Sequence, residues 1–223
     1  MRHCAKSGSD HQWACKKRVS RTVWRPPSGH RIADHPIAPI FLNRWSSRAF
    51  TSEPISDEAL FALFEAARWA PSAYNSQPWR FVYAKRDTPA WPKLLSVLVP
   101  YNQVWAGGAA ALVFVVSNPT FTPAGKSEPT LSRSASFDAG AAWASLAFQA
   151  CLDGWVAHGM GGFDEGAARA ALNVPADHRI EAAVAIGCRG ERACLPERYH
   201  AGEAPNSRRP ISETVFEGAF PPS

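Results

Sequence analysis

A mixed helix–strand domain, α/β or α+β, is what this 223-residue sequence predicts. Three observations predict it. Segments with apolar residues at helical spacing alternate with short β-branched and aromatic runs. Hydrophobic residues make up 46% of the chain and charged residues 19%, the balance of one ordinary domain and not of collagen, coiled coil or a disordered polymer. No period of roughly 20–50 residues repeats, which excludes a solenoid.

The elements follow in order. Pro36 to Phe41 is a short apolar lead-in. Ser56 is a good N-cap, with Asp57 and Glu58 in the first turn, where the helix dipole favours anions. Leu60, Leu63, Phe64 and Ala67 repeat at helical spacing, and Pro71 bars continuation, so a helix is predicted over about 57–69. Residues 79–84 (WRFVYA) read as a strand. Residues 90–98 read as a short helix with Pro92 in its first turn. Ala111 to Ser117 is an unbroken apolar run, the mark of a strand buried on both faces. Residues 119–135 are rich in Pro, Ser, Thr and Gly and read as a mobile loop. A long helix then runs over 137–153, apolar almost all round and therefore expected to be covered on most sides, with Gly154 as its stop. A strand over 155–158, a helix from the Asp164 cap to Leu172 and a strand over 181–187 follow. Ile211, Val215, Phe216 and Phe220 of the C-terminal segment cannot bury themselves, so that segment is expected to lie across the domain or a second subunit.

Charge divides the chain. Residues 1–35 hold eight Lys or Arg and two Asp, whereas the rest carries 16 basic against 17 acidic residues. The basicity belongs to a leader, so the globular part has no electrostatic case for nucleic acid. We read 1–35 as a basic, disordered leader and 36–223 as the folded domain. The leader lacks the uninterrupted apolar core of a secretory signal, and no apolar run is long enough for a membrane span, which together suggest a cytoplasmic protein. His3, Cys4, His11 and Cys15 do not match zinc-ligand spacing, and five Cys at irregular intervals make no disulfide scaffold. No metal is expected.

The usual catalytic signatures are absent. There is no Walker loop, no G-x-S-x-G, no H-E-x-x-H and no kinase set. Chemistry in such a chain would fall to a cofactor. Two segments stand out. In Asn43-Arg44-Trp45-Ser46-Ser47-Arg48, alternate side chains of an extended segment would place Arg44, Ser46 and Arg48 on one face, two guanidinium forks and a hydroxyl suited to a phosphate. A solvated basic loop is the alternative. Residues 71–81 (PSAYNSQPWRF) set polar side chains between a helix and an aromatic strand, a turn able to meet the donor and acceptor edge of a heterocycle. A plain polar connection is the alternative there.

R-x-S-x-R over 44–48, a helix ending in A-R-x-A-P-S, and N-S-Q-P-W-R-F over 75–81 resemble the nitroreductase family of flavin-dependent oxidoreductases. Phe137-Asp138-Ala139-Gly140-Ala141, the glycine turn His158 to Phe163 and Arg208-Arg209-Pro210 continue the resemblance over about 38–218. It implies an α+β fold, a central, mostly antiparallel sheet flanked by helices, in an intertwined homodimer with FMN at the subunit interface. By match, Arg44, Ser46 and Arg48 would hold the FMN phosphate and ribityl chain, with Arg208 reaching the phosphate. Gly161 and Gly162 would let backbone approach the flavin. Pro71, Ser72, Ala73 and Asn75 would lie against it from the other subunit, and Asn102 would fall near the reactive edge of the ring.

The resemblance implies ping-pong transfer of hydride from NADH or NADPH through the flavin to a small electron-poor acceptor, nitroaromatic, quinone or enal-like. No side chain is singled out as catalytic. Flavin fragmentation, reductive dehalogenation and flavin binding without turnover are the alternatives. Tyr74, where the family often has a small or hydroxylated residue, and the 119–135 loop, a lid by position, would shape the choice of substrate.

Overall fold

The structure is a computed structural model that describes residues 31–221. The leader up to residue 30, with His3, Cys4, His11 and Cys15, lies outside the described residues.

Among the described residues six helices and six strands follow one another, with short 3-10 turns between or after them: α1 (Pro39–Asn43), α2 (Asp57–Arg68), β1 (Trp79–Lys85), α3 (Trp91–Ser96), α4 (Pro100–Ala106), β2 (Ala111–Ser117), β3 (Thr120–Phe121), β4 (Thr130–Leu131), α5 (Ala135–Leu152), β5 (Trp155–Met160), α6 (Glu165–Leu172) and β6 (Arg179–Cys188). The main sheet has the order β1-β2-β6-β5 with every pairing antiparallel. This is the α+β arrangement with an antiparallel sheet.

β2 explains the two layers. All seven of its residues are buried. Leu112, Phe114 and Val116 join one core with Leu94 of α3 and Trp105 of α4, while Ala111, Val113 and Val115 join the other with Leu60 and Leu63 of α2 and Leu146 of α5. An alternating backbone with apolar side chains on both faces needs helices on both faces.

Two expectations change. α5 buries one face, through Ala139, Ala142, Leu146 and Ala150, but leaves Phe137 81% and Leu152 67% exposed. Among the described residues the sheet, α2 and the short α1 pack on it and leave those side chains uncovered. The 119–135 segment is not wholly irregular either. Thr120 pairs with Leu131 and Phe121 with Thr130, and the Asn118 carboxamide oxygen accepts the Thr120 N–H at 2.9 Å. The β-branched and aromatic residues at its two ends close it into a small hairpin. Helix α4, which the sequence did not signal, opens on Pro100 and is too short and too polar at Asn102 and Gln103 to show a period.

Candidate functional site

The segment after α1 is extended, bridged at Phe50 to Arg189 beyond β6, and the expected alternation is visible. Asn43, Trp45, Ser47 and Ala49 are buried, while Arg44, Ser46 and Arg48 are half-buried between them. Its buried side is anchored from two distant places. The Glu203 carboxylate accepts the backbone N–H groups of Arg48 and Ala49 at 3.0 and 3.1 Å, and also the Ser47 hydroxyl. His158 Nδ1–H donates to the Ser47 carbonyl at 3.1 Å, which fixes the neutral tautomer with its proton on Nδ1. Burial holds the His158 pKa down to about 4, against the Ser47 hydrogen bond that favours the charged ring. Neither Glu203 nor His158 carries a local signal of this task, because the partners meet only through the fold.

The other side of the segment opens on a cleft of about 450 Å³, against the α5 face of β5. Arg44 and Ser46 stand at it with Trp143, Phe148, Gly159 and Gly161. Trp143 and Phe148, its aromatic wall, were missed in the sequence because an aromatic on an apolar helix reads as core. The two glycines differ. A Cβ on Gly159 would lie 3.0 Å from the Trp143 ring, whereas a Cβ on Gly161 would meet nothing within 4 Å and would project into open space. Gly162 serves the chain itself. A Cβ there would lie 2.5 Å from Asn102 Nδ2.

Asn102 is buried and fully engaged. Its Nδ2 donates to the Gly162 carbonyl at 3.0 Å, and its Oδ1 accepts the Trp105 indole N–H at 3.2 Å. It fixes the glycine turn after β5 onto α4.

Arg48 shares the half-buried side with Arg44 and Ser46 but does not line the cleft. Its Nη1 donates to the Gly202 carbonyl at 3.3 Å, and its Nε is buried without a partner among the described residues. Arg208 is exposed on the C-terminal segment. It lies close enough to Arg44 that its charge pushes the Arg44 pKa down, behind the larger effect of burial and against the opposing pull of the Cys151 thiol group.

Pro71, Ser72, Ala73 and Asn75 do not line the cleft of their own chain. Their turn is strained, with Tyr74, Asn75 and Gln77 at φ of 54°, 53° and 47°. Side chains help to hold it: Ala73 N–H donates to Asp138 Oδ2 at 3.1 Å, and Gln77 N–H to Ser72 Oγ at 3.0 Å. Tyr74, 84% exposed, stacks on Phe121 of the β3–β4 hairpin with ring centroids 5.3 Å apart.

A cleft lined by an arginine, a hydroxyl, an aromatic wall and a side-chain-free glycine is suited to an anionic, flat ligand. The open space at Gly161 and the Arg44 guanidinium on the cleft lining fit a phosphorylated planar cofactor. Comparison with known proteins agrees. The family model described as "Nitroreductase family" matches residues 42–95. A solved structure described as an oxidoreductase containing FMN is 43% identical, with a TM-score of 0.84 over 89% of this chain and 100% of that one. A Desulfovibrio desulfuricans structure solved in complex with FMN is 26% identical, with a TM-score of 0.61 over 85% of this chain and 100% of that one. The Major NAD(P)H-flavin oxidoreductase of Aliivibrio fischeri is 41% identical over 54 residues, 24% of this chain and 25% of its own. The chain likewise spans 45% of the length of a Rhodopseudomonas palustris relative, at 32% identity. The chain belongs to the nitroreductase family.

Proposed function

We propose that the chain is an FMN-dependent oxidoreductase that takes hydride from NADH or NADPH and passes it to a small electron-poor acceptor of the nitroaromatic, quinone or enal class, by a ping-pong route. The observation that carries this reading is the cleft in which Arg44 and Ser46 face Gly161 across an aromatic wall. The FMN-containing relative supports the same cofactor.

In this reading Arg44, Ser46 and Arg208 hold the phosphate and ribityl end, with Arg48 behind them. Gly161 leaves room for the ring. Asn102 positions that glycine turn through its bond to Gly162 and, with the family, stands near the ring's reactive edge. Pro71, Ser72, Ala73 and Asn75 complete the site from a second copy in a homodimer, and the exposed Phe137 and Leu152 of α5 favour such a partner. The flavin, when bound, supplies hydride chemistry. The chain's residues bind and orient it, and they exclude water from the reacting face. Among the described residues no helix is long and apolar enough to cross a membrane.

The purified protein should be yellow and should release FMN, not FAD, on denaturation. Under anaerobic conditions NADH or NADPH should bleach it, and a quinone or nitroaromatic should restore the colour. A protein that binds FMN but is not bleached would be a binding module instead.

A further inference from the structure

Arg31 reaches three carbonyls on two remote stretches of chain. Its Nη1 donates to Leu42 at 3.0 Å and to Arg44 at 2.7 Å, and its Nε donates to Asn206 at 2.9 Å. Leu42 is in the last turn of α1, where helical carbonyls lack partners. Asn206 lies two residues before Arg208. A second link runs beside the first: Asp34 Oδ2 accepts the Ile211 N–H at 2.8 Å. Thus residues 31–34, which composition groups with the leader, are bonded to both the Arg44 segment and the Arg208 segment.

Charge makes this arrangement unusual. Arg31 and Arg208 line one cleft of about 220 Å³ with Ile32, Phe41, Leu42 and Ser207, and among the described residues no carboxylate lines it. Burial pushes the Arg31 pKa down, and the charges of Arg208 and Arg44 push it further. Three guanidinium groups are gathered where each raises the free energy of the others. Such a local conflict is tolerated where an anion resolves it.

We propose that Arg31, which with Arg208 lines this second cleft and not the first, is a positioning residue for the phosphate end of the Arg44–Ser46 cleft: it clasps the Arg208 segment to the Arg44 segment and adds a third positive charge beside it. The inference rests on the reading of the cleft as an FMN site. It assigns a task to a residue outside the R-x-S-x-R segment and outside the stretch matched by the family model.

The test compares FMN with riboflavin, which lacks the phosphate. Apoprotein of the wild type, Arg31→Gln and Arg31→Lys is titrated with each, following flavin fluorescence, and proteolysis of the C-terminal segment is timed in parallel. Arg31→Gln is expected to weaken FMN about tenfold and to leave riboflavin within about twofold. Arg31→Lys is expected to recover part of the FMN loss, through charge alone, while the C-terminal segment is still cut faster, because one ammonium cannot bridge the three carbonyls. Equal losses for both flavins would reduce Arg31 to a structural tie and overturn the proposal, as would an unchanged FMN constant. Should Arg31→Gln not fold, Arg31→Lys decides by the same FMN-to-riboflavin ratio. A wild type that fails to prefer FMN over riboflavin would instead sink the reading of the cleft itself.

Discussion

Asp138, buried at the start of α5, accepts the backbone N–H of Ala73 at 3.1 Å across 65 residues of chain. The same oxygen accepts the Ser134 hydroxyl at 3.0 Å. One carboxylate thereby fixes a strained turn to the end of the central helix. Asp138→Ala leaves the Ala73 N–H without that partner, a loss of about 1–3 kcal/mol. The melting temperature should fall by roughly 2–12 °C for a domain of this size. A melt within a degree of the wild type would show that the turn is held by other means.

Gly161 and Gly162 are adjacent but should respond oppositely to a methyl group. Gly162→Ala collides with Asn102 Nδ2 at 2.5 Å and with Val99 Cγ2 at 3.1 Å, so it should lose about 1–3 kcal/mol of stability. Gly161→Ala meets nothing and should melt like the wild type, while its methyl group, projecting into the cleft, lowers FMN affinity several-fold. Paired melts and flavin titrations check both; a destabilised Gly161→Ala or a neutral Gly162→Ala contradicts the geometry.

Arg44→Ala removes the guanidinium at the mouth of the cleft. FMN affinity should drop by about 1.5–3 kcal/mol, the scale of a hydrogen bond to a charged group, or roughly ten- to more than a hundredfold. We expect a comparable loss for Arg48→Ala if its orphaned Nε turns to the cofactor, and a loss under twofold if Arg48 only braces Gly202. Fluorescence titration of the two variants separates these outcomes.

His158 sets an acid limit on stability. Unfolded, its ring takes a proton near 6.5; folded, burial lowers that to about 4. Above pH 6.5 both states are neutral and there is no effect. As pH falls from 6.5 towards 4, the unfolded chain alone is protonated, so stability declines, by about 3 kcal/mol once pH 4 is reached. His158→Asn offers an amide N–H for the Ser47 carbonyl but no titration. Denaturant midpoints across this window should fall for the wild type more steeply than for the variant. Parallel slopes would remove His158 as the cause.

Sedimentation should show a homodimer, and deletion of residues 205–223 should reduce dimer and flavin content together. A stable monomer that retains FMN would contradict the shared site.

Much of this was legible in the sequence where the signal is local. The Ser56 cap accepts the Ala59 N–H, and Asp164 accepts the Ala167 N–H, where the N-cap pattern placed them. β2 is buried on both faces because six of its seven residues, Ala111 to Val116, are apolar without alternation. Arg44, Ser46 and Arg48 alternate with buried neighbours, as an extended segment requires. What was not legible depends on meetings between distant residues. Glu203 looks like any exposed acid until Ser47, Arg48 and Ala49 are folded against it. Gly162 resembles Gly161 until Asn102 arrives. Residues 31–35 share the leader's composition, and only the carbonyls of Leu42, Arg44 and Asn206 show that Arg31 is part of the domain.

The clasp at Arg31 also orders events during synthesis. Arg31 and Asn206 are 175 positions apart, so the guanidinium emerges from the ribosome long before its carbonyl partner exists. Chains grow from the N-terminus at about 5–20 residues per second, which leaves a delay of roughly 9–35 seconds. Strand β6, between β2 and β5 in the sheet, is made only shortly before Asn206, so the sheet and the arginine cluster are both completed late. If Arg208 completes the phosphate end of the site as proposed, cofactor capture waits for the C-terminal segment, and a nascent chain stalled before residue 206 should be colourless.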